Sequence, residues 1–372
     1  MRLRIEPRRA PSALLDWLLP PLAVLATVAA SGAIFAAIGA HPAQSVYAFF
    51  VAPLLSLNSL SEVALKAGPL AMIGVGLAAG FRANVWNIGA EGQLTMGAIA
   101  GGGIALAFYG QDGWWILPLM CAAGIAGGMA WAAIPAFLRT RFGVNEILVS
   151  LMLTYVAGLL LTTLVFGPWK DPEGFNFPQS RMFSDAATLP PLIAGTRLGA
   201  GTLIAFLIPI LAWVVMRFSI VGFQLRTVGL APAAAQYAGF SERRVVWRVL
   251  LAAGGLAGLA GVFEVAGPIG QLIPRITPGY GFTAIIVAYL GRLHPLGIIP
   301  AALIVALSYI GGETAQVRTG LPQAATGVVQ GMLLFFLLAS DFLARYRLAR
   351  VGPARAASAA GARSSADPVV SS

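Results

Sequence analysis

Cysteine occurs once in 372 residues, at Cys121, histidine twice, at His41 and His294, and lysine twice, at Lys66 and Lys170. A single cysteine excludes an intrachain disulfide and a cysteine-cluster metal site. The two histidines lie far apart and lack the spacing of a ligand pair. Neither lysine ends a G-x-x-x-x-G-K-[ST] loop, so the chain carries no phosphate cradle of that type and any ATP energy must come from another subunit. An intramembrane enzyme would need convergent ligands or a nucleophile–base pair, and the scarcity of His and Cys argues against one. Charge is sparse too: 10% of residues are charged and 58% hydrophobic, against about 25% charged in a soluble domain. With a mean hydropathy of +0.82, the chain is not an ordinary soluble globule, and the composition implies a polytopic membrane protein. The net charge of +10 does not point to nucleic acid, because the arginines fall between apolar runs and no basic–aromatic face appears.

What is abundant is apolar sequence in long runs. A basic start, residues 1–17 with Arg2, Arg4, Arg8 and Arg9, precedes a run over 18–38. That run is too long for a signal-peptide core of roughly 7–15 residues and reads as a retained anchor. Further runs cover 63–80, 93–109, 114–138, 144–166, 200–216, 249–267, 281–291, 296–311 and 323–343. The expectation is an all-α transmembrane bundle of about ten spans over 18–343, although 281–291 is too short to cross by itself. Starting inside and alternating sides places 18 of the 24 basic residues in cytoplasmic segments. This bias puts both termini in the cytoplasm. It leaves a Pro-rich loop, 167–199, outside and a loop, 217–248, inside. The tail 344–372, rich in Ala, Ser and Gly, has little to bury and reads as disordered.

Four stretches carry polar groups where chemistry is possible. Arg82–Met96 places Asn84, Asn87, Glu91 and Gln93 beside apolar runs, with Gly89 and Gly92 straddling the glutamate. Such groups are costly next to lipid unless they face a partner or a water-filled path. Asn87, Glu91 and Gln93 either line a translocation path or satisfy the backbone of a broken helix. Asn145 and Glu146 open the 144–166 run, as a helix cap or as a gate touching the first stretch. Glu264 lies in A-A-G-G-L-A-G-L-A-G-V-F-E (252–264), whose small residues at four-residue spacing allow close helix contact. It is a candidate for the path or for an interhelical contact. In the inside loop, Pro232–Gly239 reads as a short helix, Pro at its start and Gly at its end, that either rests on lipid at the membrane surface or, its amphipathic character being weak, docks on a soluble partner.

That loop resembles the ATPase-coupling loop of ABC importer permeases, R-x-x-G-x-x-x-x-A-A-x-x-x-G, with Arg226, Gly229, Ala234, Ala235 and Gly239 at the matching places. The run N-I-G-A-E-G-Q (87–93) resembles the branched permease group for simple sugars and nucleosides, and within it the nucleoside-uptake subgroup. The stretches 143–155, 255–267 and 279–291 are similar as well. Thr154 departs from the Asn frequent in that subgroup, and His294–Pro295 has no assigned role. The resemblance implies a permease subunit in the bacterial inner membrane that moves nucleosides, or alternatively simple sugars. It also implies a cytoplasmic ATPase that binds ATP and Mg, a second permease subunit and an extracytoplasmic solute-binding protein. An ion-coupled carrier working without an ATPase is the remaining alternative, with Glu91, Glu146 and Glu264 as its ion sites.

Overall fold

The computed structural model describes residues 2–7, 13–193 and 195–351. The chain divides into two compact units, Met1–Ala43 with Gly327–Ser372, and Gln44–Thr326. The first unit holds α1 (Ala13–Ala37) and most of α13 (Ala324–Arg345). It also holds a two-stranded antiparallel ribbon, β1 (Arg2–Pro7) and β2 (Tyr346–Val351), with Arg2 opposite Val351. Arg8, Arg9 and the tail beyond Val351 lie outside the described residues.

The second unit is helical throughout and carries every candidate site residue. It contains a short helical segment over 42–55, then α3 (Leu57–Arg82), α4 (Ala90–Ala107), α5 (Ile116–Phe142) and α6 (Glu146–Phe166). After the 167–199 loop come α7 (Ala200–Phe218), α8 (Ile220–Leu230), α9 (Pro232–Tyr237), α10 (Glu242–Glu264), α11 (Tyr280–Leu290) and α12 (Pro295–Thr319). Among the described residues six helices are long and apolar enough to cross a membrane: α3, α5, α6, α7, α12 and α10 with its π-helical extension to Ile269. Five further apolar helices are shorter. The family of ten runs is thus represented by helices, but six of them meet the length and composition of a crossing by themselves. The run 281–291 appears as the short α11.

α10 and α3 are the most deeply buried of the helices long and apolar enough to cross. The crossing window of α10 is 83% buried within the chain and that of α6 only 17%. Small residues on α10 let its neighbours approach closely. On α10, Gly254 and Gly258 face Gly128 and Gly124 of α5, and a Cβ at Gly258 would stand 2.2 Å from the Gly124 carbonyl oxygen. On the α4 side, a Cβ at Gly97 would stand 2.2 Å from the Gly258 Cα. The three helices therefore touch backbone to backbone, the arrangement by which small residues pack helices where lipid supplies no hydrophobic drive. The 167–199 loop is fastened to α3 by a two-pronged ion pair, Arg197 Nε and Nη2 to Glu62 at 2.9 and 2.7 Å. The hydrogen bonds to Glu62 hold the Arg197 guanidinium above its ordinary pKa.

Gly258→Leu should remove the folded protein from the membrane fraction, and Gly258→Ala should lower the unfolding temperature in detergent. Gly158→Ala on α6, where nothing lies within 4 Å of the added methyl, should leave that temperature unchanged or raise stability by up to about 1 kcal/mol.

Candidate functional site

The stretch singled out in the sequence is a chain break between α3 and α4. α3 ends as the Ala83 and Val85 amides fold back onto the Gly80 carbonyl, both at 2.9 Å, with Asn84 left-handed at φ 57°. Asparagine tolerates that conformation better than most residues. After the turn at Ala83 and Asn84 the chain runs outside any helix to Gly89 and buries alternate residues, Ala83, Val85, Asn87 and Gly89. A buried segment of this kind must find partners for its amides. Trp86 N–H donates to Glu146 Oε1 at 3.2 Å, and Ile88 N–H to Ser150 Oγ at 3.2 Å. Gly89 N–H donates to Asn87 Oδ1 at 3.0 Å.

Asn87 and Gln93 clasp one another across the break. Asn87 Nδ2 donates to Gln93 Oε1 at 2.8 Å and Gln93 Nε2 donates back to Asn87 Oδ1 at 3.1 Å. Both residues are 2% exposed or less. Their amides therefore hold the chain in its turn into α4.

Glu91, the second residue of α4, points the other way. Its Oε2 accepts from Gly281 N–H at 2.6 Å, and its Oε1 accepts from the Thr277 hydroxyl. Gly281 is the second residue of α11. One carboxylate thus sits at the start of two helices, where backbone N–H groups and the dipole favour negative charge. The approach demands glycine: a Cβ at Gly281 would lie 2.1 Å from the Glu91 backbone nitrogen. Beside Glu91 opens a cavity of about 500 Å³. Thr95 of α4, Thr154 and Thr162 of α6, and Arg275, Thr277 and Phe282 share its wall. Hydroxyls, one carboxylate, one guanidinium and an aromatic ring can bind a solute that carries both hydroxyl groups and a flat apolar face.

The remaining candidates are placed elsewhere. Asn145 caps α6, its Oδ1 accepting from Ile147 N–H at 2.9 Å. Glu146 is buried and pairs with Arg139 of α5, which also reaches Glu242 of α10 at 3.7 Å. Glu264 is buried and borders a separate cavity of about 20 Å³ with Thr202 and Phe263. The structure thus brings Asn87 and Gln93 together, turns Glu91 toward the cavity instead, and gives Glu264 other surroundings. In the 217–248 segment, Ala234 of α9 and Gly239 just after it are exposed, while Ala235 turns into a core with Ala83, Val85, Val228 and Val245. Arg226 is exposed on α8, and Gly229 packs against the end of α3. Tyr237, on α9, is 95% exposed. At the start of α12, burial pushes the His294 imidazole below its ordinary pKa, with the charges of Arg82 and Arg217 adding to the effect.

Sequence reasoning missed Thr277, Ser150 and Tyr237 as site residues, and the role of Gly281. The 279–291 stretch was recognisable only by its resemblance, since nothing in its spacing shows that α11 starts against Glu91.

A family profile described as "Branched-chain amino acid transport system / permease component" matches residues 59–338. The glucose ABC transporter permease protein TsgB13 of Haloferax volcanii is 40% identical over 359 residues, covering 94% of each chain. The guanosine ABC transporter permease protein NupP of Bacillus subtilis is 29% identical over 343 residues, 91% of this chain and 97% of the relative. A second Haloferax volcanii protein, the putative glucose ABC transporter permease protein TsgC13, is 30% identical over 253 residues, 67% of this chain and 74% of the relative.

The amide clasp predicts its own signature. Asn87→Ala and Gln93→Ala should each cost about 1–3 kcal/mol, because each strands the other amide in a buried site. The double variant should cost clearly less than the sum of the two, as measured by unfolding in detergent; simple additivity would show that the pair does not act as a unit.

Proposed function

The chain belongs to the branched-chain amino acid transport system / permease component family, and from that footing we propose that it carries nucleosides inward through the cavity beside Glu91. It is a multi-pass permease subunit of an ABC importer of the sugar and nucleoside type, not an enzyme, and ATP hydrolysis belongs to a separate subunit.

The observation that carries the solute reading is the wall of the 500 Å³ cavity. Thr95, Thr154 and Thr162 offer hydroxyls to a ribose, Glu91 offers a fixed acceptor, and Phe282 offers a face on which a base can lie. NupP, named for guanosine, supports this reading. The 40% identity to TsgB13, named for glucose, favours a second reading, in which a simple sugar occupies the hydroxyl-lined part of the same cavity. Asn145, Glu146 and Glu264 act in this scheme on the surroundings of the path.

Ten spans are proposed, formed by α1, α3 to α7 and α10 to α13, in the bacterial inner membrane with both termini cytoplasmic. The cytoplasmic ATPase, which holds ATP and Mg, grips α8–α9 along Arg226, Ala234 and Gly239, while Gly229 and Ala235 seat that segment on the bundle. There, Tyr237 and the exposed alanines meet the motor, while Ala235 roots the lever in the core. ATP-driven movement of α9 then tilts the bundle and opens the cavity to each side in turn. A second permease subunit completes the membrane domain, a proposal supported by two relatives from one organism. A solute-binding protein delivers from outside.

Uptake by the intact transporter should be competed by guanosine or cytidine; competition by glucose or ribose alone would move the assignment to sugars. Glu91→Ala should lower uptake about ten-fold or more at equal abundance, since two hydrogen bonds to a charged group are lost. Tyr237→Asp should reduce the ATPase recovered with the purified permease while leaving its membrane abundance unchanged.

A further inference from the structure

The break at 83–89 is held from two sides, and the two grips differ in kind. On one side the grip is apolar. Ala83 and Val85 share a core with Ala235 of α9, Val228 of α8 and Val245 of α10. Gly229 of α8 lies so close to α3 that a Cβ there would stand 1.8 Å from the Arg82 carbonyl oxygen. On the other side the grip is polar and runs through Glu146. Its Oε1 accepts from the Trp86 amide at 3.2 Å and also pairs with the Arg139 guanidinium. The second arm of Arg139 reaches Glu242 at 3.7 Å. Glu242 is the first residue of α10, three positions after Gly239, the left-handed turn at φ 80° that ends α9.

We propose that Glu146 is a positioning residue for energy coupling, tying the Trp86 amide to Arg139 and Glu242 at the root of the α9 lever so that force applied at α9 reaches the cavity. This rests on reading α8–α9 as the contact with the ATPase. Three features support the assignment. The side chain of Glu146 is 11% exposed, and a buried carboxylate is held in place only while its donors are present. Its position at the head of α6 connects it to Thr154 and Thr162 on the cavity wall. The neighbouring tie, Ile88 to Ser150, lies one turn further along the same helix. Any shift of Arg139 or Glu242 is thereby communicated to both the break and α6 through Glu146.

Two substitutions separate positioning from packing. Glu146→Gln keeps an acceptor for the Trp86 amide but abolishes the charge pair with Arg139. Glu146→Ala removes both. In the complete transporter with its ATPase subunits, uptake per ATP hydrolysed should fall about ten-fold in Glu146→Ala and by an intermediate factor in Glu146→Gln. ATP hydrolysis itself should stay near the wild-type rate. Amide hydrogen exchange at Trp86 should rise in Glu146→Ala relative to Glu146→Gln, while Ile88 stays protected by Ser150. If Glu146→Ala does not assemble, Glu146→Gln alone decides through its uptake-to-hydrolysis ratio. A ratio equal to wild type, or uptake and hydrolysis falling in parallel, overturns the proposal. A wild-type transporter without ATP-driven uptake would instead overturn the function proposed above. Equal exchange at Trp86 in the two variants would independently overturn the role of Glu146.

Discussion

A peptide that leaves its helix inside a membrane protein has amides that lipid cannot solvate, and everything around residues 83–93 answers that constraint. Glu146 and Ser150 of one neighbouring helix accept from two of the freed amides, and the Asn87 side chain accepts from a third. Asn87 and Gln93 then use up each other's amides. What remains is Glu91, whose two donors come from the start of α11 and the residues before it. The polar seam is consequently divided. Part of it is consumed in stabilising the break, and the part that borders open space is a carboxylate at the meeting point of two helix starts.

This division was only half visible in the amino-acid order. The scarcity of charge and the apolar runs pointed to a helical membrane bundle, and the arginine bias pointed to its orientation. The short helix after Pro232 was legible because proline and glycine mark its ends, and α9 covers Pro232–Tyr237. Apolarity alone misjudged other boundaries. α10 begins at Glu242, well before the apolar run that starts near 249, because Arg243, Arg244 and Arg248 extend it as a polar first stretch. Likewise α3 begins at Leu57 through a serine cap, Ser56 Oγ accepting from Ser59 N–H at 3.1 Å.

The candidate site was harder to read for a geometric reason. Glu91, Glu146 and Glu264 look alike as isolated acids in greasy surroundings, and sequence does not say which face of the bundle each occupies. The structure gives them three different settings: an open cavity, an ion-paired hub and a small enclosed pocket. Ala234 and Ala235 are adjacent in the coupling motif yet point in opposite senses, one outward and one into the core. A motif match cannot distinguish the residue that meets a partner from the residue that anchors the lever.

The glycine-to-carbonyl contacts between α4, α5 and α10 have a mechanical corollary. Helices interlocked at that spacing cannot ratchet past one another by part of a turn, because the main-chain oxygens would collide before any side chain could yield. These three must travel as a single stator. α6 belongs to the same block despite its low burial, since Cβ atoms at Gly89 and Gly92 would stand 2.6 and 2.7 Å from the Ser150 carbonyl oxygen and the Thr154 Cα, so the wall of the cavity is held as firmly as the three helices behind it.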